Sequence, residues 1–201
     1  AGYPDAWNLE EFWRNLKQGK VCIGEVPPQR WRWQDYCRGD AASPGPHSSK
    51  WGGFISGADE FDPQFFNISP REAPYIDPQE RLFLSSVWAA LEDAGYTRDG
   101  LKKRCPKAKS ADVGVFVGVT TNSYQLLAAD EWGKGNVASA SALPWSIANR
   151  VSYFFDFQGP SMPVDTACSS SLVAIHLACE SLRNRECRVA IAGGVNLYLH
   201  P

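Results

Sequence analysis

From Val113 to Val119 the chain reads Val-Gly-Val-Phe-Val-Gly-Val, without a polar side chain at any position. A strand with one wet face alternates polar and apolar residues. A continuous β-branched run belongs to a strand covered on both faces, as in the parallel sheet of an α/β layer. Two more segments suit the same sheet. Ser161-Met162-Pro163-Val164 is short and apolar, and Arg188 to Ala192 (Arg-Val-Ala-Ile-Ala) reads as a last strand, ended by Gly193-Gly194. Between them lies a helical run from about Ser169 to Arg183. Strand, helix and strand make a βαβ unit, whose crossover should be right-handed. The fold class is therefore α/β.

Three further helices carry their own start signals. Asn8 can cap a helix with Glu11 as its capping-box partner, and Leu9, Phe12, Trp13 and Leu16 predict one buried stripe that ends at Gly19. Asp77-Pro78-Gln79-Glu80 repeats the signal, with an Asp cap, Pro in the first turn and Glu at the third position. That helix should run to Ala94, stop at Gly95 and bury Leu84, Val87, Trp88 and Leu91. Pro144 opens another, with Ile147, Ala148, Val151 and Phe154 on one side. Pro27 to Phe54 is a long irregular segment, pinned by Trp31, Trp33 and Trp51. The basic residues between Arg98 and Lys109 read as a solvated connector.

Composition removes several function classes. A net charge of -2 gives no field to gather nucleic acid or anionic lipid. The first residues lack the pattern of a signal peptide, and no apolar run reaches the roughly 20 residues of a membrane helix. The six cysteines are widely spaced and form no C-x-x-C pair, which points to a reduced, cytoplasmic protein. The three histidines, His47, His176 and His200, are scattered, so no zinc site is expected. Neither G-x-G-x-x-G, nor a P-loop, nor a G-x-S-x-G elbow occurs.

Cys168 is the residue with chemistry to offer. It lies where the strand ends and the helix begins, among Ala167 and Ser169 to Ser171. A helix N-terminus presents unpaired N–H groups and roughly half a positive charge, which favours an anionic sulfur. The small neighbours leave room for a carbonyl to approach. A buried structural cysteine is the plainer alternative. A nucleophilic cysteine normally needs a partner, and His176 is badly placed. Eight residues along a helix put it about 12 Å away, beyond the hydrogen-bond reach that proton transfer requires. Either Cys168 works through the helix terminus alone, or its partners lie after residue 201. Ser169 to Ser171 read as small helix-opening residues.

Val164-Asp-Thr-Ala-Cys168-Ser-Ser-Ser-Leu-Val-Ala resembles the active-site signature of β-ketoacyl synthases, in particular the ketosynthase domains of modular polyketide synthases. The likeness extends along the chain. Asn8 to Lys20, Phe65 to Ala73, Asp77 to Arg81, Ala90 to Gly95 and Gly193 to Asn196 each resemble segments of that family. Trp51-Gly52-Gly53-Phe54-Ile55 and the Asn-Leu-Tyr-Leu-His-Pro ending look most like synthases served by a trans-acting acyltransferase.

The resemblance implies a thiolase-like fold, layered α-β-α-β-α in the complete domain and homodimeric. Residues 1–201 would be mainly its N-terminal half, without the first strand or the C-terminal half. It implies that Cys168 accepts an acyl chain from the phosphopantetheine arm of an acyl carrier protein, with no bound cofactor and no metal. Its backbone N–H would be one oxyanion donor. Condensation with a malonyl-type extender would follow, assisted by two histidines whose H-G-T-G-T and G-H-x-x-x-A-A-G type motifs this sequence lacks. An isolated half should leave apolar faces uncovered and be unable to condense. Val137, Ala138, Ser139, Ala140 and Ser141, with Met162, are implied to line the acyl tunnel and dimer interface. Ser161 to Val164 are implied to pair across that interface. Two alternatives stand: a non-elongating ketosynthase that only passes the acyl chain on, and a non-catalytic structural partner. The latter is disfavoured by the intact Cys168, which such partners replace.

Overall fold

The computed structural model describes residues 2–36, 49–103, 112–136 and 141–201. The chain divides into two compact units, Ala1–Glu60 with Leu197–Pro201, and Phe61–Asn196.

In the first unit, helix α1 spans Leu9–Lys17, and the Asn8 side chain accepts the Glu11 N–H as the capping box requires. Its stripe does not face a core. Leu9, Trp13 and Leu16 are exposed, Trp13 at 60%, and only Phe12 is half-buried, stacked on Tyr3. The periodicity that builds an amphipathic helix says nothing about what covers it. Strand β1 (Gly24–Glu25) pairs antiparallel with β2 (Trp51–Gly52). Of the three predicted pins, Trp31 meets Phe54 edge-on and Trp33 lies under the Lys50 ammonium. Trp51 is exposed and also packs beneath Lys50, so it supports a surface cation contact and no anchor. His47 lies outside the described residues.

The second unit is a three-layer α/β arrangement. Helices α2 (Pro78–Asp93), α3 (Arg98–Lys103), α4 (Tyr124–Gly133), α5 (Pro144–Phe155) and α6 (Ser170–Arg183) accompany strands β3 (Val113–Gly118), β4 (Ser161–Val164) and β5 (Val189–Gly194). The strands are parallel, in the order β4-β3-β5. β3 is central and buried throughout, as its sequence predicted. Its alternation explains the layers. Val113, Val115, Val117 and Val119 point into a core with Phe83, Leu84 and Val87 of α2 and Ile147, Ala148 and Val151 of α5. Phe116 points the other way, against Ala174 and Ala178 of α6. Each buried valine of this strand contributes roughly 1.5–3 kcal/mol over an exposed one.

The predicted stripe of α2 packs as expected, with Asp77 capping the Gln79 N–H and Trp88 half-buried. The first turn departs from expectation, because Gln79, Glu80 and Arg81 are buried as well. In α5, Phe155 takes the fully buried place and Phe154 is half-buried, within an aromatic series from Phe61 through Phe66 and Phe154 to Phe157. Of the basic connector, Lys102 is tied to Asp156 at 2.8 Å; residues 104–111 fall outside the described residues.

β5 does not stop at Gly193-Gly194. It runs through both, pairing them with Val117 and Gly118. The reason is space. A Cβ on Gly194 would lie 2.9 Å from the Ser171 Cβ, and one on Gly118 would lie 2.6 Å from the Ser171 nitrogen. Glycine here lets the start of α6 sit directly on the sheet.

The opposite side of α6 is apolar and uncovered, with Leu172, Ile175 and Leu182 exposed. We expect the 201-residue chain in isolation to self-associate through such faces. Light scattering with a thermal melt checks this: a monodisperse monomer that unfolds cooperatively is the contrary result.

Candidate active site

The carboxyl ends of the three parallel strands converge on one rim, where open α/β sheets place their ligands. β4 leads to Asp165–Ser169, β3 to Val119–Ser123 and β5 to Val195–Asn196. Backbone bonds tie the rim together, from Val119 N–H to Val164 C=O at 3.1 Å and from Val195 N–H to Gly118 C=O at 3.0 Å. Gln79, buried in the first turn of α2, donates its amide to the Thr121 carbonyl at 2.7 Å. Thr121 in turn donates to the Asn196 side chain, and Tyr124 to the Pro74 carbonyl.

Cys168 stands on this rim as an exposed free thiol, two residues before α6. The alternative of a buried cysteine therefore does not hold for Cys168. The residue before it, Ala167, has φ +54, a left-handed conformation that alanine adopts at a cost of about 1–2 kcal/mol. The chain thus leaves β4, turns through one strained residue and enters a helix, presenting the cysteine at the bend.

Side chains hold that bend. The Ala167 N–H donates to Asp165 Oδ1 at 3.0 Å, an Asx-type turn. The Ala167 carbonyl accepts the Ser170 hydroxyl at 2.6 Å and the Ser170 N–H at 3.0 Å. The Ser170 oxygen also accepts the Thr166 N–H at 2.9 Å. Thr120 donates to Asp165 Oδ1 at 3.0 Å, and Ser169 bonds back to the Thr166 carbonyl at 2.8 Å. Ser169 and Ser170 open the helix, as read from the sequence, and also hold the bend before it. Only small size was legible for them, although Asp two residues ahead of a turn residue is a recognisable signal.

The other expected site residues are scattered in what the structure says of them. Val137, Ala138, Ser139 and Ala140 lie outside the described residues. Ser141 is exposed, and its backbone brackets the α2 cap: its N–H donates to Tyr75 C=O at 2.7 Å and its C=O accepts Asp77 N–H at 3.0 Å. Met162 lies on β4, an edge strand of the three, and is exposed. His176 sits on the exposed side of α6, two turns beyond Cys168, in agreement with its dismissal as a partner. Among the described residues no three His, Cys, Asp or Glu side chains converge as metal ligands, and no helix is long and apolar enough to cross a membrane.

Comparison with known proteins decides the family. The model of the β-ketoacyl synthase N-terminal domain matches residues 1–201. The chain belongs to the β-ketoacyl synthase family. Among curated relatives it is 53% identical over 199 residues to the polyketide synthase PksL of Bacillus subtilis, covering 99% of this chain and 4% of that protein. Against the polyketide synthase ThaG of Burkholderia thailandensis the identity is 52% over 199 residues, or 99% and 3% of the two chains. Among solved ketosynthases, the oxazolomycin ketosynthase domain of Streptomyces albus superposes with a TM-score of 0.90 at 50% identity, over 99% of this chain and 34% of that one. The module 6 ketosynthase of the Bacillus subtilis bacillaene synthase gives 0.81 at 38%, over 100% and 31%. The fold is thus that of ketosynthases, the thiolase-like fold. The chain spans about a third of the solved ketosynthases and a small fraction of the curated synthases it matches.

Proposed function

We propose that this chain carries the acyl-accepting half of a ketosynthase that extends polyketide chains, the N-terminal half of the complete domain. The Cys168 sulfur attacks the thioester carbonyl of an acyl chain held on the phosphopantetheine arm of an acyl carrier protein. The Cys168–acyl thioester forms as the carrier thiol leaves with the proton. Decarboxylation of a malonyl-type extender on a second carrier then yields a carbanion, which attacks the acyl carbon and returns the Cys168 thiolate. The substrate arrives on its own arm, so the reading needs no resident cofactor.

The observation that carries this reading is the exposed Cys168 on a strained strand-to-helix bend at the sheet's carboxyl rim. Its neighbours suit the role. The Cys168 N–H sits at the mouth of α6, where it can donate to the oxyanion of the tetrahedral intermediate. We place a homodimer contact along β4, whose outer edge, with the exposed Met162, has no partner strand among the described residues. The family resemblance assigns Val137 to Ser141 to the acyl tunnel. The segments Trp51–Ile55 and Asn196–Pro201 favour a synthase served by a trans-acting acyltransferase. The free thiols at Cys22, Cys168, Cys179 and Cys187 suit a cytoplasmic protein.

The test is covalent. A complete ketosynthase domain carrying this chain is incubated with a short-chain acyl thioester and digested. The peptide holding Cys168 is expected to gain the mass of the acyl group. No gain on that peptide overturns the proposal.

A further inference from the structure

The three serines after Cys168 are left without a task by the acyl chemistry, and one of them is buried in the wall of the bend. Ser170 is 5% exposed, at the first position of α6. Its hydroxyl has one proton to give and lone pairs to accept with. The proton goes to the Ala167 carbonyl at 2.6 Å, and the Thr166 N–H fills a lone pair at 2.9 Å. On the other side of Ala167, its N–H is taken by Asp165 Oδ1, which also receives the Thr120 hydroxyl. Thr120 Oγ1 and Ser170 Oγ stand 3.2 Å apart, so the two halves touch. Both backbone polar groups of the left-handed Ala167 are thus gripped by side chains.

That grip needs an explanation. Ala167 at φ +54 is a conformation alanine does not keep without compensation. Relaxing it would swing the following residue, and the following residue is Cys168. We propose that Ser170 and Asp165 are positioning residues, which clamp Ala167 in the left-handed region and thereby hold the Cys168 sulfur at the mouth of α6. The inference rests on Cys168 being the acyl-accepting nucleophile, and it adds how the fold keeps that nucleophile aimed. Three anchors fix the clamp to the body. Ser170 is buried against the sheet where Gly118 admits α6, Thr120 follows the central strand, and Gln79 holds the neighbouring Thr121 carbonyl.

The experiment uses a complete ketosynthase domain carrying this chain and four proteins: the parent, Ser170→Ala, Ser170→Ala with Ala167→Gly, and Asp165→Asn. Glycine holds positive φ without a Cβ penalty, so it should do by conformation what the clamp does by hydrogen bonding. Asparagine keeps an acceptor oxygen at the Asp165 position and removes only the charge. Two readouts are taken: kcat and KM for acyl transfer from an acyl thioester, and the rate at which iodoacetamide alkylates the Cys168 peptide.

Ser170→Ala is expected to lower kcat and the alkylation rate about tenfold, with KM unchanged within about twofold, as loss of a buried hydrogen-bond centre predicts. Adding Ala167→Gly should restore both rates to within about threefold of the parent. Asp165→Asn, which turns two charge-assisted bonds into weaker neutral ones, should lower both rates about fivefold, and parent-like rates would overturn the part given to Asp165. The clamp is overturned if Ser170→Ala matches the parent in both readouts, or if Ala167→Gly gives no recovery. A parent that is alkylated at Cys168 but never acylated removes the acyl-transfer reading instead. The alkylation series then judges the clamp by itself.

Discussion

Replacing Cys168 with serine is expected to abolish acyl loading in practice, with a loss of about a thousandfold or more. Serine keeps the size and the place on the bend, yet a hydroxyl is a far weaker nucleophile than a thiol unless a base takes its proton. The hydrogen bonds of the bend at Cys168 run through hydroxyls and through Asp165, whose Oδ1 is already bonded twice. Stability should hardly change. Cys168 is exposed and belongs to neither core cluster, and such substitutions stay within about 0.5 kcal/mol. The measurement pairs the rate of acyl transfer with the unfolding midpoint for parent and variant. Full loading by the serine variant would move the nucleophile elsewhere. A large stability loss would return Cys168 to a structural role.

The same contrast between exposed chemistry and buried support explains what was legible in the sequence. Val113 to Gly118 announced a doubly covered strand because hydrophobicity leaves no ambiguity when every side chain is apolar. The ends of α2 were legible because Asp77 and Gly95 satisfy orphan backbone groups in recognisable ways. The strand-to-helix junction around Cys168 was legible from the apolar segment before it and the helical run after it. The supports of the site were not. Gly193-Gly194 reads locally as a stop, and only the approach of Ser171 reveals why a strand tolerates it. α4 carries neither a side-chain cap nor a buried residue, so no local signal marked Tyr124–Gly133. Leu9, Trp13 and Leu16 have the spacing of a buried stripe and are exposed, because spacing alone does not say what covers a face. Most of all, Gln79, Glu80 and Arg81 look like a solvated helix start. Their burial is set by residues 42 to 70 positions away, through the Thr121 carbonyl and the Arg150 guanidinium.

Arg150 carries the second large expectation. Its Nε lies 2.6 Å from Glu80 Oε1, with the glutamate side chain 1% exposed and the arginine side chain 23%. A second carboxylate, Glu72, stands 3.6 Å from Arg150 Nη1. Among the described residues Glu80 Oε2 has no hydrogen-bond partner. This is a buried ion pair with incomplete satisfaction, and its two removals should differ sharply. Arg150→Met keeps the apolar stem and deletes the charge, leaving Glu80 buried without its cation. Breaking such a pair from one side costs about 3 to 5 kcal/mol. Removing both charges, with Glu80→Met and Arg150→Met together, takes away the desolvation penalty along with the attraction. That double variant should return to within about 1 kcal/mol of the parent, because buried pairs replaced by apolar residues of similar volume are near neutral. Denaturant unfolding of a complete ketosynthase domain carrying each change measures both. The pair also joins α5 to the first turn of α2, the turn from which Gln79 holds the Thr121 carbonyl, next in the chain to the Thr120 that bonds Asp165. Acyl transfer in Arg150→Met should therefore fall at temperatures below its unfolding midpoint and recover in the double variant. Equal destabilisation by single and double changes would mean that packing, and not the stranded charge, is what Arg150 provides.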